Sequence, residues 1–243
     1  MDRALYHEMA ALEDRHWWFE ARREILRVML DRLPLPDPAE VLEVGCGTGG
    51  NLALLAAYGH LFACEPDDEA RTLAAERGLA QVAPGTLPDA LPFGTQPFDL
   101  IALLDVLEHV EADRDSLRAL HARLKPGGFL LLTVPAYRFL WSPHDEANHH
   151  VRRYVRREVV EKVRAVGFRL RYATYFNTLL FPVVAAVRLL GKLRPHEGSD
   201  LSMPAAPLNR LLRRTFASER RILPHAPLPF GVSILAIAEK TKP

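Results

Sequence analysis

The apolar positions of this chain change period repeatedly, and each change marks an element. Short apolar runs at 41–44, 60–65, 79–83, 98–105 and 129–134 alternate with stretches of helical spacing that begin near Gly50 and cover 69–77 and 113–124. Short runs bounded by Gly and Pro read as strands, and longer stretches of period 3.6 read as helices. The run at 98–105 is almost continuously apolar, as a parallel strand buried on both faces requires. Such alternation predicts an α/β fold, a doubly wound Rossmann-like sheet with right-handed crossovers. A helix over 157–166 closed by Gly167, a sixth strand reaching Tyr175 and a seventh at 232–239 complete the pattern.

Two helical segments flank this core. Residues 5–33 carry Leu5, Met9, Leu12, Ile25, Leu26, Met29 and Leu30 at helical spacing around His16-Trp17-Trp18-Phe19, before Pro34, Pro36 and Pro38 end the helix. Adjacent tryptophans cannot share one helical face, so either the helix breaks there or one ring projects into a cleft. Helical stretches at 179–193 and 209–223, joined through Gly198-Ser199-Asp200, lie between strands six and seven. The expected organisation is one domain, 1–243. It comprises an N-terminal helical embellishment (1–38), a core (39–134), a polar and aromatic lid (135–155) and a helical insertion (177–230).

The stretch from Glu43 to Asn51 carries the chemistry. A strand, three glycines at alternate positions (Gly45, Gly47, Gly49) and a helix start make a tight turn that a ligand can approach closely. Gly45, Gly47 and Gly50 also fit the dinucleotide spacing G-x-G-x-x-G, which points to a nicotinamide-dependent oxidoreductase. Glu43 separates the readings: a carboxylate here repels a pyrophosphate and suits a ligand carrying an ammonium and a sulfonium. Glu65 ends the second run about 20 residues later, where such sheets place an acid against ribose hydroxyls. The strand order reverses beside the first strand, so Gly45 and Asp105 should flank the crevice.

Composition narrows the picture. With 243 residues, 49% of them hydrophobic, the chain can bury one sizeable core. A net charge of +1 gives no global field and no reason to expect a nucleic-acid partner. Cys46 and Cys64 read as small buried residues, and the charged N-terminus lacks the apolar core of a signal peptide, so a cytoplasmic protein is expected.

On four motifs in order the chain resembles the class I S-adenosylmethionine-dependent methyltransferases. They are Glu43-Val44-Gly45-Cys46-Gly47-Thr48-Gly49, Glu65, Phe98-Asp99-Leu100-Ile101 and Leu124-Lys125-Pro126-Gly127-Gly128. It looks like a subgroup with an N-terminal His-Trp-Trp-Phe segment and a His144-Asp145…His150-x-Arg152-Arg153-Tyr154 segment after strand five. The resemblance implies a seven-stranded sheet with the last strand antiparallel and S-adenosylmethionine over the glycine turn. It puts Glu43 and Gly45 on the methionyl part, Glu65 on the ribose, and Thr86 and Leu87 at the adenine edge. Cys46, Gly47, Gly49, Pro66, Asp105, Trp17 and Arg22 complete the expected cofactor contacts.

Methyl transfer to a hydroxyl needs alignment and a proton acceptor, for which histidine is matched at neutral pH. The candidates are His144, paired with Asp145, and His109 and His150. Tyr137, Arg153 and Tyr154 are the expected acceptor contacts, although the arginines could equally be a solvated charge run. A metal held by His144, Asp145, His149 and His150 matches no standard spacing, and no metal is expected. The apolar 172–187 stretch followed by Arg188, Lys192, Arg194, Arg210, Arg213, Arg214, Arg220 and Arg221 suits a buried helix, a peripheral membrane contact, a lipid-linked acceptor or a homodimer. The function expected is O-methylation of a small-molecule or lipid- or glycan-linked acceptor, a non-catalytic cofactor-binding module being the other alternative.

Overall fold

The computed structural model describes residues 3–191 and 202–242. Its sheet runs β3-β2-β1-β4-β5-β7-β6. The strands are β1 (Ala39–Val44), β2 (Gly59–Cys64), β3 (Gln81–Ala83), β4 (Phe98–Leu104), β5 (Leu124–Pro135), β6 (Phe168–Phe176) and β7 (Ser233–Lys240). The first five pair in parallel, and β7 enters antiparallel between β5 and β6. The fold is therefore the expected seven-stranded Rossmann-like sheet with its last strand reversed.

The fully buried apolar sequence of β4 pairs in register with β1 and β5 at the centre of the sheet. Residues alternate between two core layers. Val41, Leu100, Leu131 and Leu235 face the side covered by α2 (Trp17–Leu30) and α9 (Ala206–Ala217). Leu42, Ile101, Leu132 and Ile234 face the side covered by α5 (Asp113–Arg123) and α7 (Arg156–Ala165). Burying one such Leu contributes about 1.5–3 kcal/mol.

Several boundaries differ from the sequence reading. The N-terminal helix is two helices, α1 (Arg3–Leu12) and α2, with the break ahead of both tryptophans, and the His16 ring accepts the Trp18 N–H at the new start. The helix after the glycine turn is one turn only, α3 (Leu52–Leu55), followed by a 3-10 turn. The Lys125-Pro126-Gly127-Gly128 turn is absorbed into β5, which meets β4 through an irregularity between Phe98 and Leu100. Ala112, not Asp113, occupies the N-cap of α5. Asp113 instead turns its carboxylate to Arg152 at 2.9 Å, Lys162 at 2.7 Å and the Tyr154 hydroxyl at 3.2 Å.

The insertion carries α8 (Phe181–Gly191) and α9; the Gly198-Ser199-Asp200 connection, Lys192 and Arg194 lie outside the described residues. Arg213 and Arg220 are not part of a solvated basic face, because both reach Glu24 on α2, at 2.9 and 2.7 Å. Among the described residues no helix is long and apolar enough to cross a membrane.

The entry to α8 is fixed by one side chain. Glu219 is fully buried and accepts the backbone N–H groups of Asn177 (2.7 Å), Thr178 (2.6 Å) and Leu179 (2.8 Å). Glu219→Ala leaves three buried donors without a partner and is expected to cost roughly 2–4 kcal/mol, read as a lower urea midpoint.

Candidate active site

The glycine turn is tied down from the end of β2. Gly45 and Cys46 donate their N–H groups to the Cys64 carbonyl (2.8 and 3.1 Å), and Gly47 donates to the Glu65 carboxylate at 2.9 Å. Gly45 has φ +70°, and a Cβ there would sit 2.6 Å from Val106. Gly47, at φ +53°, would meet nothing within 4 Å, so the turn leaves open space above it. The second Glu65 oxygen takes the Asp67 N–H, and burial pushes this carboxyl above its ordinary range.

Behind the turn lies Glu43, 1% exposed. One of its oxygens accepts the Asn51 amide at 3.0 Å, the other has no partner, and burial pushes its pKa up to about 8. Arg22 reaches in from α2, 3% exposed. It donates to Asp105 (2.6 Å) and the Thr133 hydroxyl (2.8 Å), stands 3.4 Å from the Asn51 side-chain Oδ1 and leaves Nε unpaired. Asp105 sits at φ +58° just past β4, its N–H donating to the Thr133 carbonyl. Asp105 thus pairs with this buried guanidinium, and the buried Glu43 and Glu108 both feel its charge. The crevice carries more buried acid than base.

The end of α1 closes the turn from outside. Glu13, buried, accepts the Thr48 hydroxyl (2.8 Å) and pairs with Arg77, whose Nε donates to the Thr48 carbonyl. A Cβ on Gly50 would collide with this carboxylate.

The other residues expected at the cofactor have the following surroundings in the protein. Trp17 faces α9, its N–H on Asn209 and its ring edge-on to Phe216. The Cys46 side chain belongs to the core layer under α2. Pro66 and Thr86 are exposed, and the Thr86 N–H and carbonyl are both taken by Ala90. Leu87 is half-buried against the α5 side of the core. Gly49, at φ +89°, would bring a Cβ within 2.7 Å of Arg77.

The structure gathers the histidines. His109 follows β4 in a 3-10 turn and packs edge-on to His150 at 4.6 Å between ring centroids. His144, in the short α6 (Pro143–Ala147), lies 6.2 Å from His150 and contacts Asn148. Burial first, then His150, pushes His109 down to about 4, so it is uncharged at neutral pH.

Asp145 is not exposed for chemistry. Fully buried, it accepts both arms of Arg153 (2.8 and 2.9 Å), the His150 ring at Nδ1 (2.8 Å) and the Ser142 N–H (2.9 Å). These partners hold its carboxyl well below the usual carboxylate range against the opposing effect of burial. Arg153 completes its fork on the Ala136 carbonyl, and the buried Tyr154 bridges back to Pro135 and Tyr137 through its backbone. Arg153 and Tyr154 therefore frame the segment from inside. Tyr137, at φ +55°, stacks on Tyr175 (5.1 Å) and Phe139 (5.2 Å) and meets Phe181 edge-on.

Sequence reasoning missed Glu13, Asn51, Glu108 and Thr133. Asn51 and Glu108 adjoin motifs already singled out and could have been found. Glu13 and Thr133 are brought in only by the tertiary fold.

Residues 15–173 match the methyltransferase domain family. The chain is 27% identical to the malonyl-[acyl-carrier protein] O-methyltransferase of Enterobacter lignolyticus, over 72% of this chain and 71% of that one. It is 31% identical to the trans-aconitate 2-methyltransferase of Variovorax paradoxus, over 71% and 67%. Other curated relatives match over about two-fifths of their own length. Among solved structures, a chain from the complex between the Haloferax volcanii Trm112 methyltransferase activator and a methyltransferase superposes with a TM-score of 0.65 at 19% identity. That match covers 99% of this chain and 96% of the other.

Asp145→Asn breaks a buried ion pair and is expected to cost about 3–5 kcal/mol at neutral pH. Because the folded carboxyl titrates below its unfolded value, its contribution is present above the ordinary carboxylate range and is lost as pH falls beneath it. Denaturant midpoints of the two proteins should therefore converge in strong acid.

Proposed function

The chain belongs to the methyltransferase domain family and uses S-adenosylmethionine, and on that basis we propose that it methylates an oxygen of a small-molecule or lipid-linked acceptor. The observation that carries the cofactor assignment in detail is the excess of buried acid around the glycine turn, with the unpaired Glu43 oxygen and the unpaired Arg22 Nε as its two open positions. A ligand with an ammonium, a carboxylate and a sulfonium satisfies both. A pyrophosphate would meet Glu43 and Glu65 as repulsive charges.

Glu43 would hold the methionyl ammonium, Arg22 its carboxylate and Glu65 the ribose hydroxyls, with Gly47 leaving room for the backbone approach. Bound there, the cofactor supplies an electrophilic methyl group on sulfur. The protein contributes alignment, and a base where the acceptor is a hydroxyl. We assign that base to His144, on the segment that would close over the acceptor; His109 is pushed too low to take a proton near pH 7. Residues 135–155 would form one wall of the acceptor pocket and Tyr137 its aromatic surface. The exposed Val183, Val187 and Leu190 of α8 support the lipid-linked branch of the acceptor class.

Glu65→Ala is expected to weaken S-adenosylhomocysteine binding by about 1–3 kcal/mol in calorimetry, and an unchanged affinity would count against the ribose assignment. Cofactor binding should also release a proton at neutral pH. Glu43, raised to about 8 in the free protein, is mostly protonated there and ionises beside the ammonium. The affinity should accordingly rise with pH and level off above that value, as calorimetry in buffers of different ionisation enthalpy will read. Release of S-adenosylhomocysteine with hydroxylated acceptors tests the transfer itself. Tight cofactor binding without turnover on any acceptor would favour the non-catalytic module.

A further inference from the structure

Beside the methyl-transfer crevice stands a second polar cluster that the cofactor does not use. Glu108, on the 3-10 turn after β4, is 0% exposed, and neither of its carboxylate oxygens has a hydrogen-bond partner. A carboxylate left this way is costly, several kcal/mol for an unpaired buried ion. Protonation alone would remove the charge and still leave a buried hydroxyl without an acceptor. Asp105, Arg22 and Arg153 are among the charges that act on it, and two imidazoles lie beside it: one ligand atom each from Glu108, His109 and His150 can be chosen so that all three lie within 4.8 Å of one another.

Both imidazoles are already oriented from behind. His150 turns Nδ1 to the Asp145 carboxylate at 2.8 Å, and Asp145 is itself locked by Arg153 and Ser142. His109 hydrogen-bonds the backbone of Asn148. In each ring one nitrogen is occupied by the protein frame, so the tautomer is set and the other nitrogen carries the lone pair. A metal-binding histidine characteristically has this outer support.

We propose that Glu108, His109 and His150 form a binding site for a first-row divalent cation. Two imidazoles and one carboxylate suit Zn2+ and its neighbours better than Mg2+ or Ca2+, which take oxygen ligands. With metal–ligand bonds of about 2.0–2.2 Å, closure needs only a small inward movement of the three groups. Three protein ligands leave coordination positions open for a molecule in the crevice. Asp145, with no free oxygen to offer, is a positioning residue here rather than a ligand. The site comprises a residue that the sequence reading had passed over and keeps only His150 of the four it had weighed for a metal. His144, outside the triad, keeps the role of base.

The test uses the full chain without an affinity tag, stripped with a chelator and dialysed, then titrated with Zn2+ in a calorimeter and with Co2+ in a visible spectrometer. One equivalent per chain and a Co2+ ligand-field band are expected. Glu108→Gln and His150→Ala should each weaken Zn2+ binding at least ~10-fold. Glu108→Gln removes a buried charge and should fold, which S-adenosylhomocysteine binding by the same variant will check. Sub-stoichiometric uptake by the wild-type chain, or uptake unchanged in both Glu108→Gln and His150→Ala, overturns the proposal. In either case intact S-adenosylhomocysteine binding leaves the methyltransferase reading standing, so the two can fail separately.

Discussion

A buried carboxylate with half its hydrogen bonding left open constrains everything around it. Glu43 lies one residue from the end of β1, where desolvation opposes its charge, and among the described residues only Asn51 hydrogen-bonds it. Such a group is tolerable when something cationic arrives to complete it. The neighbouring arrangement follows from that need. Arg22 is held at a distance by Asp105 and Thr133 instead of neutralising Glu43 directly, and Asn51 links the two without discharging either. The crevice is thus preorganised for a ligand bearing both signs of charge.

The strained backbone is distributed to the same rim. Asp105, Tyr137 and Asn177, none of them glycine, take positive φ just beyond the carboxyl ends of β4, β5 and β6. A left-handed residue at a strand end costs of order 1–3 kcal/mol and turns the chain sharply out of the sheet. In this protein it delivers a carboxylate, an aromatic ring and the anchored start of α8 to one edge. Local conformational energy is stored where the ligands must be met, while the strands below remain regular.

How much of this was written in the linear order of residues depended on the range of the interaction. The glycine turn and the strands were legible because their causes are local: an apolar run, glycines at alternate positions, an acid at the strand end. A break near the paired tryptophans was one of two local possibilities, and the fold places it ahead of both, leaving them side by side in α2. Glu13 was not legible, because its partners Thr48 and Arg77 lie far along the chain and nothing in its neighbourhood marks it. Arg153 and Asp145 looked like solvent-facing chemistry by residue type. Only the fold reveals that they satisfy one another in the interior, leaving His150 as the member that faces outward.

The placement of β7 carries a consequence for how the molecule comes into being. Within the sheet β6 is bonded only to β7, and β7 is the last strand to be synthesised. On the ribosome, β1 to β5 can pair as they emerge, whereas β6 gains its sheet partner only when residues 233–240 have left the exit tunnel. Completion of the sheet is therefore a late, long-range event, and the aromatic strand waiting for it is the part of the nascent chain most in need of protection from other chains.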